Sequence, residues 1–256
     1  MLKITEDFQI PFYLTEIKYS NYLDFTAVEV DDTNKYRDVE VLTGVDFSKN
    51  FGKFSKVNVA NSLRRRVQSY TSAKIDSFIH NENLYLIKEH KDITITEGLL
   101  ALNFAKEFTK QKYEKLQGLY AMKLYLIATM TRKVINGQVE ELPCNLGEIH
   151  DFVEERVKEL EDISFKNAID FEFFFYEFEQ KLSDSYFQYA FKSIHPVNVK
   201  HIDRESTDRG QRYNTTFGAF AILEHLLKNN LIDAGEQGLK TPFFHCIFLY
   251  ALSSNR

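Results

Sequence analysis

The 256-residue chain has no tryptophan, 2 cysteines, 4 prolines and 10 glycines. Each scarcity excludes something. Cys144 and Cys246 are too few for a disulfide scaffold or a four-thiolate zinc site, so a reducing, cytoplasmic location is expected. Little Gly and Pro beside 44% hydrophobic residues is not the composition of a disordered chain. No apolar run nears the roughly 18 residues of a membrane helix, so no membrane partner is expected. The opening MLKITEDFQIPFYL carries Glu6 and Asp7 and lacks a small-residue cleavage site, unlike a signal peptide. A phosphate-cradling glycine loop, a dinucleotide fingerprint and a Gly-x-Ser-x-Gly elbow are all missing, and no cofactor is expected.

What is abundant is aromatic: 23 Phe and 14 Tyr. Most of these rings are expected in the core, where each buries a large apolar area. A few could form stacking platforms or a partner surface.

The pattern along the chain predicts an α+β fold. A β-rich N-terminal part covers 1–96, and a mainly helical part covers 97–256. Runs 8–19, 22–30 and 36–45 are rich in aromatic and β-branched residues and read as strands, with turn chemistry at 31–34. A helix is expected from 57 to 70, then a hairpin pairing 84–89 with 92–96 around His90-Lys91. From 97 the spacing of Leu102, Ala105, Tyr113, Leu116, Tyr120, Leu124 and Ile127 marks one helix face running to about 134. Asn136-Gly137 is read as its C-terminal stop. Further helices are expected after Pro143 and over 165–182. A strand at 187–191, a polar loop over 196–214 and a helix from 216 to 230 follow. An apolar strand over 243–249 would complete a winged-helix-like or small α+β unit.

Charge is segregated. The net charge is −5, yet residues 140–184 hold 14 acidic against 4 basic side chains, a local −10. Residues 47–75 contain no Asp or Glu, and carry Lys49, Lys53, Lys56, Arg64, Arg65, Arg66 and Lys74 interleaved with Phe47, Phe51, Phe54 and Tyr70. Phosphates need cations that no neighbouring carboxylate neutralises, and released counterions supply much of the binding free energy. Three consecutive arginines on a helix fan through about 200°, so at least one leaves the apolar face. A second polar stretch, 200–216, places Lys200, His201, Arg204, Arg209 and Arg212 before a helix start, where backbone N–H groups favour an anion. The expected function is therefore non-catalytic nucleic-acid binding. Its phosphate contacts would be Lys53, Lys56, Arg64, Arg65, Arg66, Lys74, Lys200, Arg204, Arg209 and Arg212. A competing use of the same cations is docking on the protein's own acidic segment.

Two other classes compete. A metal-dependent nuclease would need an acid on one strand and Glu-x-Lys on the next, to hold Mg²⁺ and activate water; Asp7, Glu16 and Lys18 fit that spacing. A metal-independent RNase could use His195, His201, Arg204 and Arg209. Alternatively, the acidic 140–184 segment or an aromatic surface would meet a protein partner in a larger complex. His150-Asp151 reads as surface, while His225 and His245 read as core histidines.

Overall fold

The computed structural model describes residues 1–5, 8–11, 13–30, 34–52, 54–111, 116–143, 146–183 and 218–254. Strands β1 (Leu2–Thr5) and β2 (Phe8–Ile10) pair antiparallel, followed by a 3₁₀ turn at Leu14–Glu16. Then come α1 (Tyr19–Ala27), α2 (Arg37–Thr43) and α3 (Lys56–Gln68). A four-stranded antiparallel sheet follows in the order β3 (Ser77–His80), β4 (Asn83–Ile87), β5 (Thr131–Ile135), β6 (Gln138–Val139). Between β4 and β5 lie a 3₁₀ turn at His90–Asp92 and the helices α4 (Ile95–Gln111) and α5 (Leu116–Met130). After the sheet run α6 (Leu146–Glu159), α7 (Phe165–Ser183), α8 (Gly218–Lys228), the short α9 (Glu236–Leu239) and α10 (Phe243–Ser254).

The class is α+β, with four of the six described strands before residue 97 and helices dominating afterwards. Within that frame, several elements differ from expectation. Segments 22–30 and 36–45 are not strands but fall largely in α1 and α2. Tyr19, Leu23 and Phe25 bury one side of α1, and Val39 and Leu42 one side of α2. Tertiary packing here overrides β propensity. Helix α2 stops at Gly44, whose φ of 70° is the left-handed conformation that glycine adopts without penalty.

Asn136-Gly137 does not end a helix. The helix ends earlier, at Met130, and the chain continues as β5. With φ of 52° and 80°, the pair forms the two-residue turn between Ile135 and Gln138 that joins β5 to β6. Asn81 and Glu82, both at positive φ, make the equivalent turn between β3 and β4, so the 84–89 strand pairs with 77–80 rather than 92–96. The apolar run from Phe243 is helix α10, so the strand that a winged-helix closure requires is not formed. Strand 187–191 and loop 196–214 lie outside the described residues. Among the described residues no helix is long and apolar enough to cross a membrane.

Two apolar clusters hold the fold. The larger joins residues from both sides of position 96, among them Tyr19, Tyr85, Leu99, Ile127, Phe171, Phe178 and Phe243. The smaller gathers Ile4, Ile10, Val39, Phe47, Phe51, Val59, Ala60 and Leu63 under β1, β2, α2 and α3. Helix α4 lies so close to α10 that a Cβ on Gly98 would sit 2.2 Å from the Phe243 ring.

The α4 N-terminus is the polar hub of the large cluster. Thr94 and Glu97 form a reciprocal cap: Glu97 N–H donates to Thr94 Oγ1 (3.4 Å), and Thr94 N–H donates to Glu97 Oε2 (2.7 Å). The same carboxylate, 1% exposed, accepts from Lys88 Nζ at 2.9 Å and pairs with the buried Arg132 guanidinium. Lys88 follows β4 and Arg132 lies on β5, so one side chain ties the sheet to the helix. Glu97→Ala leaves Arg132 buried without its carboxylate. The expected loss is about 3–5 kcal/mol of stability, read as a fall in the urea midpoint.

Candidate nucleic-acid interface

Helix α3 is cut for two environments. Ser55 caps it, with Oγ accepting from the Asn58 N–H at 3.5 Å. Val59, Ala60, Leu63 and Val67 face inward, the first three onto Phe47 and Phe51. Val57, Asn58, Asn61, Arg65 and Gln68 face out and are exposed. At 100° per residue these five fall in an arc of about 100°. No acidic residue lies on α3 or in the nine residues before it, where Lys49 is also exposed.

The three arginines divide their roles. Arg64 donates from Nε and Nη2 to the two carboxylate oxygens of Asp38, each at 2.7 Å, and from Nη2 to the Lys35 carbonyl at 2.6 Å. That bidentate fork clamps α3 to α2, and the hydrogen bond to Asp38 raises the guanidinium pKa further. Arg65 is exposed. Arg66 is half-buried beside Tyr13, Ser69 and Tyr70, around a shallow cavity of about 410 Å³. Lys56 Nζ donates to the Ser48 carbonyl at 3.1 Å and lies 5.8 Å above the Phe51 ring.

Other cations named from the sequence are engaged within the protein. Lys74 reaches Glu177 on α7 at 3.3 Å, and Lys18 reaches Asp162 at 2.7 Å. On α5, Lys123 is buried against Glu172 at 2.5 Å, with burial holding its pKa below the usual lysine range. Burial, reinforced by the Arg156 charge, pushes Arg132 down to about 9. Lys133 meets Glu159 at 3.0 Å. Four of the fourteen acids of 140–184 (Glu159, Asp162, Glu172 and Glu177) are thus matched by cations from elsewhere in the chain. Lys53, Lys200, Arg204, Arg209 and Arg212 lie outside the described residues.

The interleaved aromatics are not open stacking platforms. Phe47 and Phe51 are each 1% exposed, Phe54 packs against them, and the Tyr70 hydroxyl donates to Asp170. Glu16 and Lys18 do not share a strand: Glu16 ends a 3₁₀ turn and pairs with the Met1 ammonium, while Lys18 is the residue before α1. Asp7 lies outside the described residues. The Cys246 thiol is buried in α10, which pushes its pKa up to about 12 and leaves it a poor nucleophile. His225 is half-buried, its ring 2.8 Å from Ser253 Oγ, whereas His245 is exposed rather than in the core.

Sequence reasoning missed the buried ion cluster. Its available signal was Thr94-x-x-Glu97 before an apolar run, the spacing of a capping box. No sequence signal marks the burial of Arg132 and Arg156.

No protein-family model, no curated protein and no solved structure matches the chain.

The division among the arginines has a direct stability consequence. Arg64→Ala strands Asp38, which is 7% exposed, and is expected to cost about 3 kcal/mol in chemical denaturation. Arg65→Ala is expected to stay within about 0.5 kcal/mol of the parent.

Proposed function

We propose that the protein binds nucleic acid through the exposed face of α3, with Arg65 on that face and Lys49, Lys56 and Arg66 beyond its edges supplying positive charge to the phosphate backbone. One observation carries the reading: α3 bears no acidic side chain of its own and its exposed arc presents the Asn58, Asn61 and Gln68 amides and the Arg65 guanidinium beside Val57, although the exposed Asp46 carboxylate lies near Lys49 and Lys56. Asn and Gln pair bidentately with adenine and Arg with guanine, so Asn58, Arg65 and Gln68 have the chemistry of base-edge readers, while Asn61 Oδ1 accepts from Arg64 Nη1 at 3.3 Å. Arg64 serves by fixing the helix, not by touching the ligand. The loop cations Lys200, Arg204, Arg209 and Arg212 belong to the same proposal as a second phosphate contact.

The test is an electrophoretic titration with duplex DNA, single-stranded DNA and RNA at two salt concentrations. Affinity is expected to fall with salt, with a log–log slope near −0.9 per phosphate contact on duplex DNA. Arg65→Glu is expected to weaken binding about tenfold or more, whereas Lys158→Glu on the exposed side of α6 leaves it unchanged. Binding that ignores salt, or that survives Arg65→Glu, overturns the assignment. The double variant Arg209→Glu/Arg212→Glu weighs the loop separately.

A second reading, a subunit of a larger assembly, is favoured by an apolar row across the sheet. Ile79 pairs with Leu84, Val134 pairs with Val139, and Ile79 and Val139 are 69% and 52% exposed. An Ile79→Lys/Val139→Lys variant that elutes later than the parent in size exclusion supports that reading. Identical elution as a monomer removes it.

A further inference from the structure

A cavity of about 580 Å³ opens between the end of β4, the His90–Asp92 turn and α7. Its wall includes His90, Phe174, the carboxylates Glu177, Asp76 and Glu89, and the ammonium groups of Lys74 and Lys181. The His90 side chain is 9% exposed, and neither ring nitrogen has a hydrogen-bond partner among the described residues. The nearest carboxylate oxygen, Oε2 of Glu177, stands 3.7 Å from Nε2, outside hydrogen-bond reach. Aromatic rings hold the imidazole. Phe174 stacks on it at 4.6 Å and 24°, and Phe244 meets it edge-on at 6.4 Å.

A phenylalanine would fill this aromatic cage and strand no polar atom. Buried polar groups in folded proteins are almost always satisfied, and an unsatisfied one destabilises the fold. The histidine therefore works against stability where it sits, which points to a ligand that supplies the missing partner.

The surroundings define that ligand. Burial first, then the Lys181 ammonium, with Lys74 adding to it against the pull of Glu177, push the His90 pKa down to about 4. At neutral pH the ring is uncharged, with one N–H donor and one acceptor nitrogen. Lys181 has no carboxylate partner among the described residues and lies 5.9 Å above the Phe244 ring. Lys74 is exposed and held only loosely by Glu177, at 3.3 Å. Lys88 also lines the cavity but is already held by Glu97. Lys181 and, once released by Glu177, Lys74 supply two ammonium groups for a phosphate dianion, and the imidazole N–H adds a donor. Of the other carboxylates on the wall, Glu89 is held by Lys91 at 2.7 Å and Asp76 is exposed at the rim. The volume exceeds that of bare phosphate, and Ile75 and Leu86 offer apolar wall for an organic body.

We propose that this cavity binds a small phosphate monoester, with His90 donating to a phosphate oxygen and Lys74 and Lys181 neutralising its charge. Binding draws Lys74 away from Glu177. This site is distinct from α3 and does not depend on nucleic-acid binding there.

The experiment is ¹H–¹³C NMR of the histidine rings in the full chain, with His90 assigned by its loss in His90→Phe. The probes are inorganic phosphate, adenosine 5′-monophosphate and, as a carboxylate control, succinate. Adenosine monophosphate is expected to move the His90 signals saturably at millimolar concentration or below, with succinate at least about tenfold weaker. His90→Phe is expected to melt a few degrees higher, by about 2–4 °C, and to show no calorimetric binding of the nucleotide. Lys181→Ala is expected to weaken binding about fivefold or more, whereas Arg65→Glu leaves it unchanged. His90 signals unmoved by either phosphate at about 10 mM overturn the proposal. So does equal response to succinate, or undiminished binding by His90→Phe. Loss of nucleotide binding in Arg65→Glu would place the phosphate at α3 instead.

Discussion

The carboxylate of Glu97 is the constraint around which the larger core is arranged. It closes the first turn of α4 through Thr94, holds the Lys88 ammonium after β4, and compensates a guanidinium that β5 delivers to the interior. The backbone around it is equally committed. Ile95 N–H donates to the Thr241 carbonyl at 2.9 Å, and Phe243 N–H to the Ile93 carbonyl at 2.7 Å, stitching the start of α10 to the same turn. A buried carboxylate with so many donors is expensive to desolvate and harder to remove, because each partner would then be stranded. Its position explains why a sheet, a long helix and the C-terminal helix meet at one place.

The charges of this protein largely answer one another. Asp170, fully buried on α7, accepts from the Tyr70 hydroxyl, the Ala73 N–H and the Lys166 ammonium, and so anchors the exit from α3 to the body. Arg156 lies over the Tyr85 and Phe152 rings at 5.2 Å and pairs with Glu140 and Glu159. Glu159, Asp162, Glu172 and Glu177 are thus the counter-charge for cations brought in from α5, β5 and the N-terminal segments, while Glu141, Glu148, Asp151, Glu155 and Glu161 are exposed. On α3, Arg64 is answered by Asp38, and Arg65 is the guanidinium that stands exposed.

Long apolar periodicity was legible from the sequence. Helices α3 and α7 lie close to their expected bounds, and α6 begins after Pro143 as expected, because each shows an apolar stripe at spacings of three and four. The short helices α1 and α2 were not. Their aromatic and β-branched residues have strand propensity, and packing of α1 and α2 on each other, of α1 on α5 and α7, and of the pair into both apolar clusters holds them as helices. Asn136-Gly137 carried a hairpin signal that the preceding helix pattern masked, since a glycine after a long periodic run satisfies both rules. In the candidate interface, the acid-free stretch was visible in one dimension, but not the division of its arginines. That division depends on Asp38, 26 residues away, folding onto Arg64.

The small cluster of Ile4, Ile10, Val39, Phe47, Phe51, Val59, Ala60 and Leu63 has a thermodynamic corollary. It shares no residue with the larger core, and so contributes its own separate term to cooperativity. Amide protection is then expected to be graded along α3: protons near Val59 and Leu63 rest on the small cluster, while those near Val67 share the larger core with α4 and α5. The surface proposed for recognition therefore rests mainly on the smaller of the two clusters.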